Sequence, residues 1–421
     1  MHKGTLTNRI LIRRDTEQAL RTTIELPASK SLSNRVLMLN SLSNSSLPVE
    51  NLSESDDTNV LKEALEFITR HREGVIDVGA AGSSFRFLTA FLSQTPGSWT
   101  LTGSERMKQR PIGELVQALN DLGADIAYLG RENYPPLRIN GRRLKGGAAT
   151  VDASISSQFV SALLMIAPTM EEGLSIHLEG GMVSEPYVRM TLALMQRFGV
   201  EYAWDEHAIA VPAQDFRPVP VRIESDWSAA SYWYEIAALS PGEVDISLKG
   251  LCKDSLQGDA KTAQLFKPLG IKTTFTEEGI ILQKSETALP ERMDCDFANE
   301  PDLTQTFAVT CCLLNIPFRF TGLQSLRIKE TNRIEALKRE MEKLGYSLDD
   351  ADDSLSWDGS RCEAQPDPVI STYDDHRMAM AFAPAAWRIN ELIIDNPFVV
   401  SKSYPYFWED FKQSGLTVED I

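Results

Sequence analysis

The chain has 421 residues, 43% of them hydrophobic and 24% charged, and a net charge of −17. That length exceeds one ordinary core and points to two domains, while no apolar run approaches the ~18 residues of a membrane span. So acidic a chain is repelled by nucleic acid and by anionic membrane surfaces, so neither is expected as a partner, and any anionic ligand must be held by a local cluster of Lys and Arg.

Residues 1–15 are polar and lack the apolar core of a secretory signal, so a cytoplasmic protein is expected. The first helix start lies in PASKSLSNRVLML, residues 27–39. Lys30, Ser31 and Arg35 precede or occupy the opening turns of a helix carrying Val36, Leu39 and Leu42. Ser31 suits a cap, but cations are disfavoured in a first turn. Their presence suggests a bound anion, since a helix N-terminus offers unpaired N–H groups and a positive dipole end. A second helix is expected at 60–69, followed by Gly74. In GAAGSSFRFLTAFL, residues 79–92, Gly79 and Gly82 allow a ligand close to the backbone before a helix; the GK[ST] ending of a P-loop is missing. MKQRPIG, residues 107–113, puts Arg110 before Pro111, read as the N1 proline of a helix. SISSQFVSALLMIAP, residues 154–168, sets Ser156, Ser157 and Gln158 at another start, where a serine cap alone is sufficient explanation.

The second half contains the five cysteines, Cys252, Cys295, Cys311, Cys312 and Cys362. The odd count without CxxC spacing argues against a disulfide frame or zinc site, and Cys311 and Cys312 sit in an apolar run, as buried thiols do. In RIKETNRIEALKREMEKLG, residues 327–345, Lys329, Glu330 and Arg333 surround a helix start, whereas Glu335, Lys338, Arg339 and Glu342 read as solvated i,i+4 pairs. In TYDDHRMAMAFAPAAW, residues 372–387, His376 and Arg377 open an apolar helix behind Asp374 and Asp375. A lone histidine is more often structural, but this one shares its turn with Arg and Asp. VSKSYPYF, residues 400–407, puts Lys402 between serines. Singly, the Arg110 and Lys402 loops read as surface charge. Together, five helix starts and two basic loops so widely scattered can converge only in a cleft between two domains. Such a cleft suits substrates bearing several phosphates and carboxylates.

One pattern recurs along the chain: an amphipathic helix, an apolar residue and Gly, then two short strands. It places Gly123, Gly199, Gly270, Gly345 and Gly415 about 70 to 76 residues apart. Gly after the last turn suits the left-handed C′ position, and alternation such as Tyr202, Trp204, Ile209 and Val211 suits a half-buried hairpin. The fifth copy meets the end of the chain. A sixth, around Gly74, has a hairpin that is missing or very short. Units of this kind pack into α+β domains.

PASKSLSNR, GAAGSSFR, LTGSERMKQRPIG, SSQFVSALLM, SEPYVRM, RIKETNR, STYDDHRMAMAF and the Lys402 loop resemble, in order, the motifs of the EPSP synthase family of enolpyruvyl transferases, over residues 27 to about 405. The resemblance implies an α+β fold: two similar globular domains, each of three βαβαββ repeats forming an inside-out α/β barrel, with the active site in the interdomain cleft. Domain I would comprise residues 1–28 and 225–421, and domain II residues 29–224. The chain would cross near Ala28 and near Ser225, making a hinge that closes on ligands. The implied reaction transfers the enolpyruvyl group of phosphoenolpyruvate to the 5-hydroxyl of shikimate 3-phosphate, by addition and elimination, on the shikimate pathway to chorismate and the aromatic amino acids. No metal or organic cofactor is required, glyphosate should compete with the donor at open space beside Gly82, and a monomer is expected.

By the same resemblance, Asp302, Glu330, Lys30 and His376 would form the catalytic set, with Asp302 and Glu330 handling protons and His376 near Glu330. Lys30, Ser31, Arg35, Ser156, Ser157, Gln158, Ser184, Asp302, Ser325 and Lys329 would hold shikimate 3-phosphate. Lys30, Gly82, Arg110, Gln158, Arg333, Arg377 and Lys402 would hold phosphoenolpyruvate. Forked Arg donors and Lys point charges suit a donor with a phosphate and a carboxylate, and two carboxyl groups in different environments can divide two proton transfers. Three positions depart from the family pattern. Ala80 stands for a usual Asn, Ser325 for an Asn that often contacts the shikimate phosphate, and Glu185 for a frequent Lys. A UDP-N-acetylglucosamine enolpyruvyl transferase would usually carry a Cys in the Arg110 loop, and residues 104–113 have none. A non-catalytic anion binder would not need Asp302, Glu330 and His376.

Overall fold

The computed structural model describes residues 8–14, 19–152, 154–205 and 207–421. Of the polar residues 1–15, residues 1–7 and 15 therefore lie outside the described residues, and Arg9–Arg14 forms a strand. The chain divides into two compact units. One, the inserted unit, is Ala28–Ile223; the other, the terminal unit, is Met1–Pro27 with Glu224–Ile421.

The inserted unit holds α1 (Lys30–Leu42), α2 (Asp56–Arg70), α3 (Gly82–Gln94), α4 (Gly113–Asp121), α5 (Ser157–Ile166) and α6 (Glu185–Arg197). They are of two kinds. α1, α3 and α5 pack on one another. α5, with SQFVSALLMI, is apolar all round, and nine of its ten residues are buried, as befits a helix at the centre of a core. α2, α4 and α6 each bury one stripe, such as Leu61, Leu65 and Ile68 of α2. The helix expected at 60–69 begins earlier because Asp56 and Asp57 favour a first turn. Gly74 is not its C′ residue. It lies within the strand Glu73–Asp77, where a Cβ would come within 2.7 Å of the Phe67 ring.

The terminal unit repeats the plan with α7 (Trp227–Leu239), α8 (Thr262–Leu265), α9 (Thr304–Leu313), α10 (Arg333–Lys343), α11 (His376–Phe382), α12 (Ala386–Ile389) and α13 (Phe407–Phe411). Here α7, α9 and α11 are the mutually packed helices, and every residue of α9 and α11 is buried. α8 is a single turn, extended by a 3-10 turn at Gly258–Lys261. Cys311 and Cys312 are buried on α9, and burial raises both thiols.

Among the described residues, five four-stranded sheets share one topology: a parallel pair followed by two antiparallel partners. In the sheet containing Gly97–Thr102, for example, that strand pairs with Glu73–Asp77 in parallel and with Leu137–Gly141 antiparallel, and Ile126–Tyr128 completes the hairpin. The five glycines that precede the hairpins have φ between +80° and +94°, the left-handed C′ geometry. The sixth sheet is only the parallel pair Val49–Glu50 and Val221–Arg222, because α2 runs on into a strand of the next sheet. The fold is thus the α+β arrangement of six repeats, helices inside and sheets outside.

Two exchanges close the units. Leu20–Glu25 precedes α1 but pairs with Val244–Lys249, which follows α7; Val221–Arg222 precedes α7 but pairs with Val49–Glu50, which follows α1. In the final repeat Arg9–Arg14 inserts between Glu391–Asp395 and Leu416–Asp420. At the second passage Ser225 Oγ donates to Leu26 O at 3.2 Å and Asp226 N to Pro27 O at 2.8 Å, tying it to the first.

Glu235 is a fully buried carboxyl on α7, beside Thr310 of α9. Burial pushes it well above the usual carboxylate range. A raised folded-state value means that its share of stability is intact below the unfolded value of ~4.3 and is lost as pH rises through the folded one. Glu235→Gln removes that loss, so the variant's urea midpoint should gain on the wild type steadily from pH 5 to pH 8. Parallel midpoint curves would refute this.

Candidate active site

In each unit the candidate side chains gather mostly at helix starts: those of α1, α3, α5 and α6 in the inserted unit, and those of α9, α10 and α11 in the terminal unit. In the inserted unit, Ser29, not Ser31, caps α1, accepting from Leu32 N at 3.5 Å; Ser31 is the second helical residue. Ser156 caps α5, accepting from Gln158 N at 3.3 Å, and Ser157 opens that helix. Gln158 Nε2 donates to Ser83 Oγ at 3.0 Å, joining the starts of α5 and α3. Lys30 Nζ meets Asp57 Oδ2 at 3.0 Å, so its charge is anchored against the first turn of α2. Ser184 precedes α6 with φ +56° and makes no side-chain cap there.

Arg110 is not surface charge; it is 7% exposed. It follows a 3-10 turn at Met107–Gln109, and α4 starts only at Gly113, so Pro111 is not an N1 proline. Arg86 of α3 fixes this loop, donating to Pro111 O at 2.9 Å and to Gly82 O at 3.3 Å. The space beside Gly82 is not open. A Cβ there would lie 2.5 Å from Arg110 Nη1, so glycine is what lets the guanidinium lie against the start of α3. Arg35 is also internal. Its Nε donates to Thr191 Oγ1 at 2.7 Å, Nη1 to Ser31 O at 3.0 Å, and Nη2 to Tyr187 O at 3.2 Å. Burial brings it down to about 10. Arg35 thus ties α1 to α6, with every nitrogen donating inside the protein.

The terminal unit places its cluster around Arg333, the first residue of α10, behind the cap Asn332. Arg333 Nε donates to Asp375 Oδ2 at 2.7 Å, Nη1 to Asp302 Oδ1 at 2.8 Å, and Nη2 to Glu330 Oε2 at 3.1 Å. Burial alone would lower Arg333, but Asp375, Glu330 and Asp302 outweigh it and raise it. Asp375 also caps α11, accepting from Arg377 N at 3.0 Å. Arg377 Nη2 reaches Asp302 Oδ2 at 2.7 Å, and Lys402 Nζ lies 3.5 Å from Glu330 Oε1. Lys402 ends the 3-10 segment Pro397–Lys402 and is buried. Burial would raise Asp302, yet Arg377, Lys329 and Arg333 hold it far below the usual carboxylate range. Lys329 follows the 3-10 segment Gln324–Ile328, which contains Ser325. His376 is buried, its Nδ1 3.7 Å from Asp375 Oδ1. Of the charges read as solvated pairs, Glu335 and Arg339 are paired at 2.7 Å, but Lys338 pairs with Asp350, across on a strand.

Three contributors are not legible as site residues in the sequence: Asp375, Arg86 and Asp57. Asp375 had a signal, its place before His376 and Arg377. Arg86 looks like any helix arginine until the Arg110 loop folds onto it. Among the described residues, no group of three or more His, Cys, Asp or Glu is placed to hold a metal ion, and no helix is long and apolar enough to cross a membrane.

A family model described as EPSP synthase (3-phosphoshikimate 1-carboxyvinyltransferase) matches residues 62–411. A Bacteroides fragilis protein named 3-phosphoshikimate 1-carboxyvinyltransferase is 56% identical over 402 residues, 95% of this chain and 97% of its own. A Vibrio campbellii protein of the same name is 35% identical over 419 residues, covering 92% and 96%. A solved EPSP synthase from Acinetobacter baumannii has the same fold, with a TM-score of 0.77 at 19% identity over 98% of this chain and 99% of that one.

Asp375→Asn tests the cluster's stability role. Asn still caps α11, so the change isolates the loss of one buried partner of Arg333. Breaking such a pair costs ~3–5 kcal/mol; because Asp302 and Glu330 remain, a loss of about 3 kcal/mol is expected in urea denaturation. A loss below about 1 kcal/mol would show that Asp375 is dispensable to the cluster.

Proposed function

The chain belongs to the EPSP synthase family, and from that premise we propose that it moves the enolpyruvyl group of phosphoenolpyruvate onto the 5-hydroxyl of shikimate 3-phosphate, releasing phosphate. The observation that carries the mechanism is the sharing of Arg333 between Asp302 and Glu330, with Arg377 on the far side of one and Lys402 on the far side of the other.

The addition moves one proton off the 5-hydroxyl and one onto the methylene carbon, and the elimination takes one back from the resulting methyl group, so the hydroxyl proton leaves, net, with the released phosphate. A carboxylate held as low as Asp302 is a weak base. It accepts a hydrogen bond from the 5-hydroxyl and orients it for attack on C2. Glu330 then carries the proton, poised between Arg333 and Lys402. The tetrahedral adduct collapses as the C–O bond to phosphate breaks and the new methyl group returns a proton to Glu330, which restores the carbon–carbon double bond; the growing negative charge on the phosphate is stabilised by fixed cations. The donor's partners are Arg377 and Lys402 of the terminal unit, and Arg110, Lys30 and Gln158 of the inserted unit. Arg333 already donates from all three nitrogens, so a donor anion must share it with Asp302 and Glu330. Lys329 and Ser325 of the terminal unit, and Ser31, Ser156, Ser157, Gln158 and Ser184 of the inserted unit, hold shikimate 3-phosphate. Arg35 acts on it through Ser31, whose carbonyl it holds. His376, buried at the start of α11, completes the catalytic set beside Asp375. A monomer in the cytoplasm completes the reading.

Phosphate release from phosphoenolpyruvate by the purified protein tests the assignment: it should require shikimate 3-phosphate, and turnover with UDP-N-acetylglucosamine alone would sink it. Glu330→Gln should lower kcat by roughly 10² or more, the scale of a positioned acid or base, and leave the KM for shikimate 3-phosphate within about twofold. A near-normal kcat would remove Glu330 from proton transfer.

Gly82→Ala forces the Arg110 guanidinium aside. It should raise the KM for phosphoenolpyruvate several-fold and weaken glyphosate inhibition, without changing the KM for shikimate 3-phosphate. An unchanged donor KM would show that Arg110 does not meet the donor.

A further inference from the structure

Arg377 is gripped from two sides. On one side stands Asp302, whose Oδ2 accepts from Nη2 at 2.7 Å and whose main-chain oxygen lies 3.5 Å from Nη1. The other side is α7. Ser228 Oγ lies 3.4 Å from Arg377 Nη2, and the Tyr232 hydroxyl, one turn on, lies 3.4 Å from Nη1. Behind Ser228 stands Asp259, in the 3-10 turn Gly258–Lys261 and 3% exposed, with Oδ2 hydrogen-bonded to Ser228 Oγ. Its other oxygen, Oδ1, is buried and has no hydrogen-bond partner among the described residues.

We propose that Asp259 is a positioning residue for Arg377, acting through Ser228, and that it thereby sets the affinity for phosphoenolpyruvate. This rests on the reading that Arg377 binds that donor. A hydroxyl has one proton. When Ser228 donates it to an ionised Asp259, the oxygen lone pairs are left to accept from Arg377. When Asp259 is protonated it becomes the donor and takes one of the two lone pairs, and the Ser228 proton is no longer held on the carboxylate side, so Arg377 is left a weaker and less oriented acceptor. The charge state of Asp259 therefore sets how firmly Ser228 holds the guanidinium.

The frame behind this relay is rigid. Asp226 caps α7, accepting from Ser228 N at 2.7 Å, which fixes the serine backbone. Gln257, two residues before Asp259, accepts from Trp227 N at 3.1 Å and donates to Ser225 O at 2.8 Å and to Glu224 Oε2 at 3.0 Å. The segment carrying Asp259 is thus bolted to the start of α7. The charges facing Asp259 are Asp302 from the turn before α9, Arg377 from α11 and Asp226 from the start of α7. On its own turn, Lys261 is drawn away to Glu300 at 3.0 Å. Burial, and then the Asp302 charge, raise Asp259 to about 7. A buried carboxylate with no direct cation is an unfavourable structural element, and perturbed groups of this kind concentrate where function needs them.

The test is steady-state kinetics of Asp259→Asn, Ser228→Ala and the double variant, with Arg377→Lys alongside. Each single variant should raise the KM for phosphoenolpyruvate about tenfold at pH 8, with the KM for shikimate 3-phosphate unchanged. The double variant should be no worse than either single one, because both break the same line. The ratio of wild-type to Asp259→Asn kcat/KM for the donor cancels the substrate's own ionisation. It should fall toward one as pH drops from 8 to 6, since protonated Asp259 and Asn are alike in charge. Additive losses, an equal rise in both KM values, or a ratio independent of pH would overturn the proposal. If Asp259→Asn does not fold, Ser228→Ala decides: its donor KM must rise and its kcat/KM must lose the rise with pH that the wild type shows beyond the substrate's own. If Arg377→Lys raises the donor KM while the Asp259 and Ser228 variants do not, the proposal fails and the site reading stands. If Arg377→Lys leaves the donor KM unchanged, both fail.

Discussion

One buried guanidinium organises the terminal unit's chemistry. Arg333 is 1% exposed and holds Asp375, Asp302 and Glu330 at 2.7, 2.8 and 3.1 Å. Each of those carboxylates belongs to a different segment. Asp375 caps α11, Asp302 lies in the turn leading into α9, and Glu330 precedes α10. Buried ions are tolerated only where their pairing is nearly complete. Satisfying Arg333 therefore forces three helix starts into one constellation, and Arg377 and Lys402 then attach to its outer oxygens.

The inserted unit solves the same problem with less charge. Its helix starts present hydroxyls, amides and backbone N–H groups, from Ser156, Ser157 and Gln158 to the glycine at the head of α3. Its cations are individually placed. Lys30 is braced by Asp57, and Arg110 by the absence of a side chain at Gly82. Neutral donors at a helix N-terminus suit a phosphate that must be bound and kept. Carboxylates interleaved with cations suit protons that must move. The two units share a fold and differ in this.

The repeat explains how sites so far apart in sequence become equivalent in space. Each central helix follows a strand of a parallel pair, so six helix starts become six chances to place a functional group. The exchange of Leu20–Glu25 and Val221–Arg222 between repeats preserves that geometry where the chain passes from one unit to the other. The missing hairpin after α2 removes an outer pair of strands and leaves the central helices complete.

The sequence by itself determined whatever depends on neighbours a few residues apart. The five C′ glycines declare themselves because only a residue without a side chain adopts φ near +85° readily after a helix. Ser156 and Asp375 lie beside helical runs whose caps they are, although only the first reads as a cap without the fold. The motifs around Lys30, Gly82, Glu330 and Arg377 mark the family because their residue types are chosen by the chemistry. Tertiary structure decided what depends on burial and on partners far along the chain. Arg35 and Arg110 look alike in sequence, yet one spends its donors on Thr191 and Tyr187 while the other lies against a glycine. Gly74 reads as a helix end until Phe67 packs on it within a strand. Asp259 and Ser228, 31 residues apart, form a pair only once α7 and the following turn are brought together. Charge and hydrogen-bonding capacity are written in the residue; whether they face water, a ligand or another buried group is settled only by the packing that removes the solvent.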